Sequence, residues 1–118
     1  MPIQLFRRYA PLLFWAALLF TYVCAILPSD EAPSFSSSDK LEHMVAFFTL
    51  AVLAGFAYPR AQALRIGLWL SAFGALIEFT QAIPFLNRDA SVYDWIADTI
   101  ALTVGLLAVR PFRSIGLA

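Results

Sequence analysis

Three short stretches of the chain hold residues whose types and spacing could do chemistry: "DKLEH" (39–43), "EFTQ" (78–81) and "RDASVYDWIAD" (88–98). Asp39 and His43 are four residues apart, Asp94 and Asp98 repeat that spacing, and Glu78 and Gln81 are three apart. In a helix each pair shares one face. Imidazole and carboxylate side chains are the common general acids and bases, which makes His43, Glu78 and Asp94 the catalytic candidates. Lys40 and Arg88 could hold a phosphate or carboxylate, the arginine by a two-pronged contact. Asp39, Gln81 and Asp98 complete the candidate ligand-binding set. A metal version would use His43, Glu78 and either Asp94 or Asp98, a mixed nitrogen and oxygen set suited to Zn or Mn. No tight ligand motif demands it, and the sequence specifies no cofactor. There is no HExxH, no serine or cysteine at a recognisable nucleophile elbow, and His43 is the single histidine.

Each of these residues also has a purely structural reading. Asp39 with Glu42, and Ser91 with Asp94, fit the capping box that closes the first turn of a helix. Acidic groups suit the positive end of the helix dipole, and Lys40 could simply snorkel to the lipid headgroups. His43 alone would be a weak signal. The structural reading is poorest for Glu78 and Asp98, which lie inside apolar segments and outside any first turn. A carboxylate within a membrane span costs roughly 2.5–3.5 kcal/mol even on a lenient insertion scale, so a partner or a wet cavity is expected there.

The elements that must position these groups follow from composition. The chain has 118 residues, 61% of them hydrophobic and only 14% charged, with no formal net charge. Its mean hydropathy of +0.76 exceeds that of ordinary soluble domains. No basic stripe exists that would suit nucleic acid, and the single Cys24 excludes an internal disulfide. A bilayer crossing takes about 20 largely apolar residues. Four segments qualify: about 9–27, 41–58, 64–83 and 93–109. Pro28, Pro59, Pro84 and Pro111 each follow a segment closely, where a residue without an N–H stops a helix. The expectation is a single all-α domain, a four-helix transmembrane bundle. The first segment is too long for the roughly 7–15-residue apolar core of a signal peptide, so it is read as a retained span. Small residues four apart (Ala51 and Gly55; Gly67, Ser71 and Ala75; Ala101 and Gly105) would let backbones approach closely in lipid.

Charge sets the orientation. Arg7, Arg8, Arg60, Arg65, Arg110 and Arg113, six of the eight basic residues, flank one side of a four-span chain. The positive-inside rule makes that side cytoplasmic and puts both termini there. All eight carboxylates fall on the other side or in its half of the membrane. The start of span two, the end of span three and the start of span four then share the outer face, and the three polar stretches converge at one level.

The ordered set of motifs resembles the VanZ-like family of bacterial membrane proteins. The resemblance rests on Asp39-Lys40-x-x-His43 followed by "MVAFF", then Glu78-x-x-Gln81 before a short Pro-containing loop, then Arg88, Asp94 and "WIADTIALTVG", and covers roughly residues 38–108. In that family the position of Asp98 is often Asn and sometimes Asp, and a glycine common soon after it is here Ala101. The family is named for a protein associated with resistance to teicoplanin, a glycopeptide that acts on cell-wall precursors at the outer membrane face. The resemblance therefore implies a multi-pass protein of the bacterial cytoplasmic (inner) membrane with business in the cell envelope. Its partners would be membrane lipids and a lipid-linked envelope precursor or lipid phosphate. The same outer-face groups can be read as an enzyme acting on such a precursor, as a binder that shields or sequesters it, or as a buried ion-pair network. In that last case, the protein would be a non-catalytic scaffold whose charges fix helix registry.

Overall fold

The computed structural model describes residues 3–27, 39–83 and 91–115, with the side chain of Asp39 outside that set along with Arg88. Four α-helices run through them: α1 (Ile3–Ile26), α2 (Asp39–Ala57), α3 (Ala63–Gln81) and α4 (Val92–Val109). All four are long and apolar enough to cross a membrane. The fold is thus the expected all-α four-helix bundle, with helix ends within a few residues of the expected ones except at the start of α1. That helix begins six residues before Tyr9 and carries Pro11 inside it. A proline there removes one backbone bond, which apolar surroundings and neighbouring helices tolerate in a membrane span. Pro59 lies just beyond α2, and α4 tightens at Pro111 into a 3₁₀ turn over Arg110–Phe112.

Contacts between helix ends fix an up-down-up-down course. At one end Arg7 near the start of α1 reaches the carbonyl of Phe56 in α2 and those of Phe112, Arg113 and Ile115 after α4. At the other, Gln81 at the end of α3 reaches Ala25 at the end of α1, while Lys40 at the start of α2 meets Asp94 at the start of α4. The basic residues Arg7, Arg8, Arg60, Arg65, Arg110 and Arg113 therefore share one end, and His43, Glu78, Asp94 and Asp98 lie toward the other.

The most extensive interface is between α2 and α4, which run in the same direction, and not between consecutive helices. Two glycines explain it. A Cβ on Gly105 would stand 2.8 Å from the Phe48 carbonyl oxygen and 2.9 Å from the Ala51 Cβ, and one on Gly55 would stand 2.6 Å from Val109 Cγ1. Backbones meet there because nothing projects between them, the close approach that small residues permit in lipid. Around this seam Phe14, Phe47, Leu50, Leu70, Ile77 and Leu102 form the buried core. The outer surface is as apolar as the inside, with Leu64, Trp69 and Phe79 each more than 70% exposed. That inversion suits a lipid solvent and would be an aggregation hazard in water.

Candidate functional site

On each of three helices the buried stripe ends in a polar residue. The inward face of α2 is His43, Phe47, Leu50, Ala51 and Ala54; that of α4 is Asp98, Ala101, Leu102, Gly105, Leu106 and Val109. On α3 the stripe Ile66, Leu70, Gly74, Ile77 runs into Gln81, with Glu78 one turn beyond Gly74. These spacings of three, four and seven place each polar group on the face that packs into the bundle. His43 lies four residues into α2, Glu78 three residues before the end of α3 and Asp98 six residues into α4. At 1.5 Å per residue they stand about 5–9 Å below the helix ends.

These three side chains converge. One ligand-capable atom from each of His43, Glu78 and Asp98 lies within 4.8 Å of the other two. His43 is 9% and Asp98 1% exposed, and His43 Nδ1, Glu78 Oε1 and both Asp98 oxygens are shut off from solvent. The other Glu78 oxygen, Oε2, accepts the Ser91 backbone N–H at 2.8 Å. Ser91 is the N-cap of α4, and its Oγ accepts from the Tyr93 N–H at 3.2 Å. The reciprocal half of the expected capping box is therefore supplied from α3 by Glu78. This contact fixes the Glu78 carboxylate in a defined orientation and ties the end of α3 to the start of α4.

The remaining expected residues take other positions. Asp94 sits one turn nearer the helix end than Asp98 and meets Lys40 Nζ at 3.6 Å, with the lysine side chain 49% exposed. The third group beside His43 and Glu78 is thus Asp98, on the deeper turn, and the cation expected to receive a ligand is engaged by Asp94. Gln81 is 2% exposed and donates through Nε2 to the Ala25 carbonyl at 2.9 Å. That carbonyl belongs to the last turn of α1, whose oxygens lack intrahelical partners, so the Gln81 amide acts as a tie between α3 and α1. The Tyr22 and Thr80 hydroxyls, 3.0 Å apart, reinforce the same seam. Arg88 and the Asp39 side chain lie outside the described residues.

The opposite end holds a feature that charge counting alone did not reveal. Arg7 and Arg113 form a clasp over helix C-termini. Arg7 donates to the carbonyls of Ile115 (2.6 Å), Phe112 (2.9 Å), Phe56 (3.2 Å) and Arg113, and stands over the Phe56 ring. Arg113 donates to Gly55 (3.1 Å), Tyr58 (2.7 Å) and Ala61 (2.6 Å). Burial, then the neighbouring Arg7 charge, lower the Arg113 pKa; an arginine nonetheless stays protonated in a protein. The negative ends of α2 and α4 compensate the paired cations. Beside the clasp, Trp15 Nε1 donates to the Tyr58 hydroxyl at 2.7 Å, an aromatic pair of the kind found at membrane interfaces.

Chemically, the His43–Glu78–Asp98 cluster combines a group that both donates and accepts protons with two carboxylates, at a depth where water is scarce. Such a set can move a proton, orient a polar ligand or coordinate a cation. In comparisons with known proteins the chain matches no family model, no curated protein and no solved structure.

Proposed function

We propose that the chain is a multi-pass protein of the bacterial cytoplasmic membrane, of the VanZ-like kind, whose acidic end faces outward and receives the polar head of an envelope lipid or lipid-linked precursor. The single observation that carries this reading is the convergence of His43, Glu78 and Asp98 from three helices, within 4.8 Å of one another beneath the helix ends. Ionisable groups at membrane depth are functional by default, because a bundle needing only to pack would use apolar residues there. The grouping of six arginines at the other end supports the orientation. In this reading His43 and Glu78 carry the proton-handling chemistry, Asp98 holds them in place from below, and Lys40 with Asp94 borders the entrance.

A second reading has its own support. The Glu78–Ser91 contact and the Lys40–Asp94 pair both join helices and would serve a protein whose charges only fix registry. Glu78→Gln and His43→Gln separate the two. On the functional reading both variants insert and fold at wild-type yield, yet lose the envelope phenotype, scored as teicoplanin tolerance conferred on a sensitive bacterial host. Full tolerance in both variants would refute the site, and a collapse of folded yield with Glu78→Gln alone would favour the registry network. Orientation is tested separately in a Cys24→Ser background. A thiol introduced by Ser34→Cys should react with an impermeant reagent added outside intact cells, and one introduced by Gln62→Cys should not.

A further inference from the structure

The site's donor set is more specific than a polar pocket requires. We propose that His43, Glu78 and Asp98 form a binding site for one divalent transition-metal ion of the Zn²⁺ or Mn²⁺ class. The inference deepens the proposed function and rests on it only for the use to which the metal is put.

Three observations carry it. First, the ligands come from three different helices and still bring one donor atom each within 4.8 Å of the others. Zinc bonds to nitrogen and carboxylate oxygen of about 2.0–2.2 Å in a tetrahedral site put neighbouring donors about 3.3–3.6 Å apart. The difference, at most about 1.5 Å, is within the reach of side-chain rotation. Secondly, the donors are one imidazole nitrogen and two carboxylate oxygens, a borderline-hard set that suits Zn²⁺ and Mn²⁺ and discriminates against soft Cu⁺. Two carboxylates also balance the charge of a divalent ion, so the filled site is neutral at a depth where a net charge is costly. Thirdly, the surroundings fix the ligands as metal sites require. Glu78 is oriented through Oε2 by the Ser91 N–H, leaving Oε1 shut off from solvent, and the Gln81–Ala25 tie closes the bundle beside it. Below lie fully buried Phe47 and Ile77, a dry floor for the site.

Three protein ligands leave a fourth position, as in catalytic zinc sites. On the proposed function a ligand would reach it from the helix ends, where Lys40 and Asp94 stand. A phosphate or carboxylate oxygen of a ligand entering from that side is the chemical class such an open position takes. The metal would polarise it, and with a metal bound that polarisation would take the place of proton handling by His43 and Glu78.

The test uses tag-free full-length protein purified in lipid nanodiscs, so that no histidine tag competes. After chelator treatment and dialysis, Zn²⁺ and Mn²⁺ are titrated in turn, and bound metal is counted by mass spectrometry while thermal unfolding is followed. The expected result is one ion per chain with a metal-dependent rise in Tm, as linkage to the folded state demands. Asp98→Asn should weaken binding by at least about tenfold, and Phe79→Leu, at an exposed position beside Glu78, should leave it unchanged. Co²⁺ in place of Zn²⁺ should give visible ligand-field bands in the wild type that Asp98→Asn removes. Wild-type protein that binds no ion stoichiometrically and shows no shift in Tm would overturn the proposal, whatever the variants do. Equal binding by wild type and Asp98→Asn would also overturn it. Failure here leaves the proposed function standing if His43→Gln still abolishes teicoplanin tolerance. Stoichiometric metal binding by the wild type, together with full tolerance in His43→Gln, would instead sink the proposed function and keep the metal site.

Discussion

The two ends of the bundle solve the same problem in opposite ways. Each brings charged or polar side chains into an apolar interior from several helices. At the basic end the polar atoms meet backbone: Arg7 and Arg113 donate to seven carbonyls in and just beyond the ends of α2 and α4. At the acidic end the side chains meet one another. His43, Glu78 and Asp98 bring one donor atom each to a common place, while the second Glu78 oxygen accepts the N-cap N–H of α4 and Gln81 caps the end of α1. The difference separates a polar group that holds the fold together from one that the fold holds. A capped carbonyl is a structural end in itself, whereas three convergent titratable groups are, on the proposed function, a reagent.

The contrast can be broken at its hinge. The α2–α4 seam joins the two ends, and Gly105 sits where a Cβ would meet the Phe48 carbonyl at 2.8 Å. Gly105→Leu should cost more than about 3 kcal/mol, beyond the usual range for overpacking because backbone blocks the way. Folded yield in detergent should fall sharply and both ends should be lost together. A well-folded Gly105→Leu protein would show that the ends are independent.

A smaller effect sharpens the comparison. Arg113→Gln removes the donors to Gly55, Tyr58 and Ala61. Hydrogen bonds from charged groups contribute about 1.5–3 kcal/mol when buried; with Arg113 partly exposed, a total loss of about 2 kcal/mol is expected. Thermal unfolding should register it, while the tolerance expected on the proposed function stays at the wild-type level per folded molecule. The smallest effect belongs to Lys40→Met. Its partner Asp94 is 3.6 Å away and the lysine half-exposed, so stability should change by no more than about 1 kcal/mol. A loss comparable to that of Arg113→Gln would put Lys40 among the groups that hold the fold.

The fold was legible in the sequence because lipid demands it. Runs of about 20 apolar residues bounded by prolines leave few alternatives, and the arginine distribution placed helix starts and ends at the correct common levels. The convergence of His43 with Glu78 was readable from the same alternation of direction. Which carboxylate joins them was not. Asp94 and Asp98 share a face by spacing, and only the packing of α4 against α2 through Gly105 shows that Asp98 turns inward while Asp94 meets Lys40. Helix rotation is hidden where every face is apolar, since lipid-facing Leu64 and core Leu70 look alike in sequence. A signal did exist: the stripes beginning at His43 and Asp98 are richer in alanine and glycine than the opposite faces. The arginine clasp was hidden for another reason. Arg7 and Arg113 read as topology markers, and nothing local to either residue reveals a carbonyl partner as much as 108 residues away.

The central claim is that His43 and Asp98 face each other across the α2–α4 seam at the acidic end. It is tested most directly by thiol proximity. In a Cys24→Ser background, His43→Cys combined with Asp98→Cys is treated in native membranes with a short bifunctional thiol reagent, and the intramolecular crosslink is counted by mass spectrometry. His43→Cys combined with Ile100→Cys serves as the control, because Ile100 lies at nearly the same depth but is 56% exposed on the opposite face. Near-complete crosslinking of the first pair with little of the second is the predicted result. Equal crosslinking of the two pairs, or none between positions 43 and 98 in folded protein, would contradict the account.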